Sequence, residues 1–576
     1  MIRYLRLRKT TAYLVLLSVV AAIAGVNASA RLAAERTDHK VLAHVLDRVT
    51  FGARSQDLER VARIGIQTYV EQQLNPQRID DTPLEARLDR FETLDLSTRE
   101  IAERYAIPAQ QARKERARAR AASSEPPDQQ TMPAGSTRLE RRGREEIQRQ
   151  RLVLSELTEQ KLLRAIYSER QLQEVLVDFW FNHFNVFAGK GVDRILLTSY
   201  ERDVIRPHVF GSFRELLGAT AHSPAMLFYL DNWLSVDPER GSRESSGSRD
   251  PQGDPAERQN EMSQRPRRFG FNPARGRQPR GPEDPAPRPQ NLRRTGLNEN
   301  YARELMELHT LGVDGGYTQQ DIVQVARVFT GWTIDQPRRG AEFRFDARLH
   351  DNREKVVLGH TIKGQGEAEG ERVLDTLATH PSTARFISTK LARRFVSDDP
   401  PASVVDRASR RFRETNGNLR EVVRTILMSP EFFAPDAYRA KVKSPFEFVV
   451  SAIRATAAEV GQATSLARTL RELGMPLYMS QPPTGYPDKA DAWVNTGALV
   501  ARMNFAVALA GNQLAGVSLD PNAYNRRAGT SPTLERLVDD WLRGDASPAT
   551  LETMATAPGV EQLVALAIGS PEFQKR

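Results

Sequence analysis

Between Leu297 and Leu311 apolar residues return at helical spacing. At 100° per residue Leu297, Tyr301, Leu305 and Leu308 form one stripe, Asn300, Arg303, Glu304 and Glu307 a second face, and Asn298 and His309 a third. The pattern predicts an amphipathic helix that stops at the turn Gly312-Val313-Asp314-Gly315-Gly316. Thr318 followed by Asp321 then reads as an N-cap and acidic first turn for a second helix over 319–329.

Helix starts recur elsewhere. Ser-Pro pairs stand at 223, 429, 444, 531, 547 and 570, and Ser as cap with Pro in the first turn opens a helix. Three segments share an outline, 213–227, 419–433 and 560–574, without the fixed period of a solenoid. In 178–187 the residues Trp180, His183 and Phe184 fall near one face, the pattern of a core stripe with a hydrogen-bonded histidine. One stretch breaks the helical rule: in 341–359 Phe343 and Phe345 alternate with polar residues and Val356 to Leu358 form a short apolar run. It predicts a β-hairpin whose loop presents His350 and Asp351.

Two segments interrupt these patterns. Residues 111–150 are rich in Arg, Ala and Glu around a Ser-Ser-Glu-Pro-Pro break, and are expected to be disordered or partly helical. Residues 236–295 combine Pro, Arg, Gly and Ser with almost no large apolar side chains, too little to offset ordering entropy. The expected fold is mainly α, a multi-helix globular array with one short β-hairpin and two disordered insertions. Its parts are a signal peptide (1–30), an N-terminal helical part (31–110), the charged insert (111–150), a first core part (151–235), the long loop (236–295), a core with the candidate site (296–432) and a C-terminal helical part (433–576).

The N-terminus changes the meaning of the charge. Arg3, Arg6, Arg8 and Lys9 precede an apolar run from Thr11 to Val26 and the small residues Ala28-Ser29-Ala30, the layout of a signal peptide cleaved after Ala30. A periplasmic or secreted protein is expected, with an uncleaved anchor as the alternative and no transmembrane span after cleavage. The chain carries a net charge of +9, but four of those charges fall in 1–30 and four more in 236–295. The remainder is near neutral, so no nucleic-acid partner is expected, and the paired helices at 297–329 are not read as a DNA-binding motif. The chain has no cysteine, which excludes disulfides, thiolate catalysis and zinc-thiolate sites and leaves oxygen and imidazole as ligands.

The candidate chemistry concentrates around the long loop. Glu304, Glu307, His309, His350 and Asp351 are candidates for acid–base catalysis. Asp231, Asn232, Asn298, Glu299, Asn300, Arg303 and Trp332 are candidates for binding. Asp231, Glu304 and His350 are candidate ligands of a divalent cation: oxygen donors suit calcium, magnesium or manganese, and histidine admits zinc. A solvated face with local ion pairs accounts equally for Arg303, Glu304 and Glu307. The chain lacks a Gly-x-Ser-x-Gly elbow, a His-Glu-x-x-His motif and a phosphate loop.

Several long segments together resemble one known family: LDRVTFGAR (46–54), FWFNHFNVF (179–187), HSPAMLFYLDN (222–232), GLNENYARELMELHTLGVDGGYT (296–318), GWT (331–333), HPSTARFISTKLARRFVSDDPP (380–401), KVKSPFEFVVSAIRA (441–455) and PPTGYPDKADAW (482–493). They are similar to the bacterial family catalogued as domain of unknown function 1800, over nearly the whole mature chain. The resemblance implies an exported protein, often encoded beside exported sulfatase-like proteins, which makes such a protein or an envelope polysaccharide the expected partner. Two functions follow as expectations. One is a metal-assisted or acid–base hydrolase acting on an envelope or extracellular polymer. The other is a non-catalytic envelope binding or assembly protein, in which Trp180, Tyr229, Trp332, Tyr486 and Trp493 hold the core and shape a groove.

Overall fold

The computed structural model describes residues 39–122, 138–239, 296–520 except 338 and 341, and 534–576; residues 1–30, expected as a signal peptide, and Ser531-Pro532 lie outside them, as does most of the 236–295 segment. The described chain is mainly helical, with three two-stranded antiparallel ribbons and connecting loops. No helix among the described residues is long and apolar enough to cross a membrane.

The Gln171–His183 helix sits at the centre: Leu172, Val175, Leu176, Phe179, Trp180, Phe181 and His183 are all buried, and its polar stripe, Gln171, Glu174, Asp178 and Asn182, is turned to polar partners within the protein. The Trp180 ring stacks on Phe184 and leans on Phe213, which meets Phe412 of the Ala402–Glu414 helix. Removing each such large apolar side chain from water contributes roughly 1.5–3 kcal/mol. His183 is a core histidine, its Nε2 3.1 Å from the His309 carbonyl oxygen.

The Ser-Pro signals resolve into two devices. Ser223, Ser444 and Ser547 cap helices with proline in the first turn. Ser429 and Ser570 instead close single turns: each hydroxyl donates to a carbonyl three residues back and accepts the amide of Phe432 or Phe573. Those two rings are buried, so the turn folds the chain back onto the core before a helix forms.

The charged insert is largely helical where it is described. The Ile107–Ala122 and Arg138–Tyr167 helices pack side by side as a hairpin.

The two arms of the long loop meet. Ser235 and Gly296 form a parallel bridge, the Val236 amide donates to the Gly296 carbonyl, and Asn298 Nδ2 donates to the Leu230 carbonyl at 2.6 Å. The joint is tied to the 329–333 turn by Asn232 Nδ2, which donates to the carbonyls of Phe329 and Trp332, and by the Gly331 amide, which donates to Ser235. Gly331 has φ +80°, and a Cβ there would lie 2.7 Å from the Asp346 carbonyl oxygen.

The expected 341–359 hairpin is replaced by two ribbons. Glu342–Phe345 pairs backward with Trp332–Asp335, and Lys355–Val357 pairs forward with His360–Ile362. Leu358 and Gly359 both have positive φ, the requirement of a tight two-residue turn, so the second strand closes locally on 360–362. In the 346–354 connection Asp346, His350 and Asp351 are buried, while Ala347, Arg348, Asn352, Arg353 and Glu354 stay exposed.

Candidate functional site

His350 and Asp351 lie in that connection, and both are enclosed. His350 Nδ1 is 2.8 Å from the Thr330 carbonyl oxygen and Nε2 is 2.9 Å from Glu369 Oε1. Asp351 binds Arg327 at 2.8 Å and Arg353 at 2.6 Å. Glu369 also accepts from Lys355 Nζ and from the amides of Gln365 and Gly366. Burial raises the Glu369 carboxyl, but these hydrogen bonds outweigh it and hold the group below the usual range. The arrangement fastens the connection to the Glu367–Thr379 helix.

The other sequence candidates fall in different surroundings. Asp231 is exposed, with φ +58°, and pairs with Lys190 at 2.7 Å. Asn232 and Trp332 are core groups, Trp332 packed among His222, Phe329 and Phe343. Asn298 is the N-cap of the Glu299–Met306 helix, accepting the Tyr301 amide. Glu299 and Asn300 are exposed, and Gln319 bridges Glu299 to Arg303. Glu304 is half-buried, its carboxyl raised by burial and by Glu307, and Glu307 accepts the Tyr317 hydroxyl.

His309 departs from the third helical face expected for it. The chain widens into a π turn over Glu307–Leu311, which rotates His309, Thr310 and Leu311 into the core. Burial and the nearby Lys390 push the His309 ring down to about 3. Asp231, Glu304 and His350 do not converge: among the described residues no three His, Asp or Glu side chains form a metal-holding group.

A different place brings chemistry together. A pocket of about 760 Å³, part of it continuous with bulk solvent, opens beside the central helix and is lined by Lys161, Asp178, Asn182, Lys441, Tyr478, Tyr486, Asp488 and Trp493, with Arg394, Glu447 and Arg576 also in its wall. Its outer wall is the 478–493 loop, which the central aromatic motif holds by amide hydrogen bonds. Asn182 donates to the Tyr486 carbonyl and accepts the Tyr486 amide, at 2.8 and 2.7 Å; Asn185 donates to the carbonyls of Ser480 and Pro482. Gly485, at φ +71°, lies so close that a Cβ would stand 2.3 Å from the Asn182 carbonyl oxygen.

The charges of the pocket are unevenly matched. Lys161 pairs with Asp178 at 2.8 Å and packs against the Phe181, Phe446 and Tyr478 rings. Arg394 and Arg576 share the single carboxylate of Glu447, at 2.7 and 2.9 Å. Burial alone would raise Glu447, but Arg576 and Arg394 hold it far below the carboxylate range. Lys441 donates to Asp398 and to the Asp488 carbonyl oxygen, and burial together with Arg576 pushes its amine down to about 8. Four cations thus line the pocket and four carboxylates answer them, Asp178, Glu447 and Asp488 in the wall and Asp398 on Lys441, with Tyr478, Tyr486 and Trp493 beside them.

Sequence reasoning named Tyr486 and Trp493 as groove residues but not the ionic partners. Those partners are spread from Lys161 to Arg576, and the available signal was the pair of asparagines flanking His183.

The fold and pocket define a helical protein with an ionic and aromatic cleft walled by a tethered loop. The chain belongs to the family described as protein of unknown function (DUF1800), whose sequence model matches residues 44–575. No curated protein and no solved structure matches the chain.

Proposed function

We propose that this is an exported envelope protein that binds an acidic saccharide unit of an extracellular polymer in the pocket beside the central helix. The observation that carries the reading is the pairing of aromatic walls with buried cations at one cleft, two of them, Arg394 and Arg576, sharing one carboxylate. Apolar faces of a sugar ring pack on Tyr and Trp, and a carboxylate or sulfate group supplies a second acceptor to the two guanidinium groups that share Glu447. Binding is preferred over hydrolysis because Glu304, His309 and the His350–Asp351 pair lie in separate surroundings, the pair tied into the core by hydrogen bonds and ion pairs. Export is supported by the basic and apolar run before Ala30.

Titration of the mature protein with oligogalacturonate and with a neutral glucan oligosaccharide of equal length tests the reading. Saturable binding of the acidic oligosaccharide alone, lost in Lys441→Met, is the expected result. Equal binding of both, or of neither by the folded protein, rejects it. N-terminal sequencing of protein from the periplasmic fraction should begin at Arg31.

A further inference from the structure

The helical hairpin formed by Ile107–Ala122 and Arg138–Tyr167 has no part in the pocket beyond Lys161, and its distal half has an unusual surface. From Arg113 outward on the first helix, and before Val153 on the second, no side chain described is fully buried. Arg113, Lys114, Arg118, Arg141, Arg144, Arg149 and Arg151 are exposed there, against exposed Glu115 and Glu145; Glu146 is partly buried and faces Arg149 at 3.7 Å. At the base, burial and the like charges of Arg113 and Arg151 lower the affinity of the Arg194 guanidinium for its proton. No exposed large apolar side chain accompanies these cations among the described residues.

Such a surface is costly for a free helix pair, since neighbouring cations repel and little apolar burial offsets them. It gains where a partner supplies closely spaced negative charge and releases its own counterions on binding, as polyelectrolytes do. Among the described residues no apolar face is exposed on the arm, and a helix lying in a lipid interface inserts apolar side chains, so a polar polyanion fits these cations better than a membrane. We infer that the exposed cations of the Ile107–Ala122 helix and of the Arg138–Tyr167 helix up to Arg151 form a docking surface for a linear polyanionic polysaccharide, whose repeating carboxylate or sulfate groups lie along the two basic helices. This surface is separate from the pocket and stands or falls independently of it.

The test compares the full mature protein with a fourfold variant, Arg113→Gln, Lys114→Gln, Arg118→Gln and Arg144→Gln, all exposed positions. Binding of long-chain polygalacturonate is measured at low and moderate salt, with anionic phospholipid vesicles as a second probe. The parent is expected to bind the polymer with an affinity that falls steeply with salt; the variant should lose about tenfold or more and show a flatter salt dependence. Its helical circular dichroism and its binding of the short oligosaccharide should be unchanged, which separates failure of the arm from failure of the pocket. An unchanged polymer affinity in the variant overturns the inference, because the attraction then lies elsewhere on the chain. Binding to vesicles but not to polymer overturns it in favour of a membrane.

Discussion

Lys355 Nζ lies 2.5 Å from Glu369 Oε2, with both side chains fully enclosed. On the other oxygen of the same carboxylate sits His350. Glu369→Gln therefore strands a buried ammonium, and an unfolding free energy lower by about 3–5 kcal/mol is expected from urea titration. A loss under 1 kcal/mol would show that the pair is not a structural tie.

The same group predicts an acid response. The folded carboxyl of Glu369 is held below its unfolded value, so its contribution is complete above the unfolded value and is lost as the pH falls through the folded one. Asp351, whose carboxyl is lowered by Arg353 and Arg327 against burial, acts in the same direction. The parent should lose stability on acidification below about pH 4.5 more steeply than Glu369→Gln, measured by thermal melts from pH 7 to 3.

Lys443 gives the opposite slope. Its amine, buried and 4.0 Å from the centroid of the Phe573 ring, is pushed down to about 7 by burial. Because the folded value lies below the unfolded one, the charged form weakens the fold at low pH, and the penalty fades as the pH rises from about 7 towards the unfolded value near 10.4. Lys443→Met is expected to stabilise by about 1–3 kcal/mol at pH 6 and by progressively less towards pH 10. A constant difference across that range would remove titration of Lys443 as the cause.

Gly370 stands against Trp332: a Cβ on it would lie 2.2 Å from the indole carbon Cζ2. The ring is enclosed and has nowhere to shift. Gly370→Ala should cost about 1–3 kcal/mol and lower the melting temperature. A melting temperature equal to the parent's would mean that the helix slides at no cost.

Asn182→Ala removes both hydrogen bonds that pin Tyr486. Faster chymotryptic cleavage within 478–493 and weaker oligosaccharide binding are expected together. Cleavage at the parent rate would show that the loop is held by other contacts.

Local signals were legible and distant pairings were not. The Thr318 cap with Asp321, and the caps at Ser223, Ser444 and Ser547, need only neighbouring residues, and they form as expected. The strand residues Phe343, Phe345 and Val356 were also legible, yet their partners are Trp332–Asp335 and His360–Ile362, outside the stretch that carried the alternation. His309 turned inward because a π turn breaks the constant 100° step on which its expected face rested. The pocket was hidden most deeply, since Lys161, Lys441 and Arg576 meet only after packing is complete.

The Ser235 and Gly296 arms enter and leave the body hydrogen-bonded to each other. The helical body therefore meets that crossing as a closed junction, its two ends satisfying one another's backbone groups. A break at either end would unfasten a seam of the body itself and would be felt at the 329–333 turn, which Asn232 and Ser235 hold from the same joint.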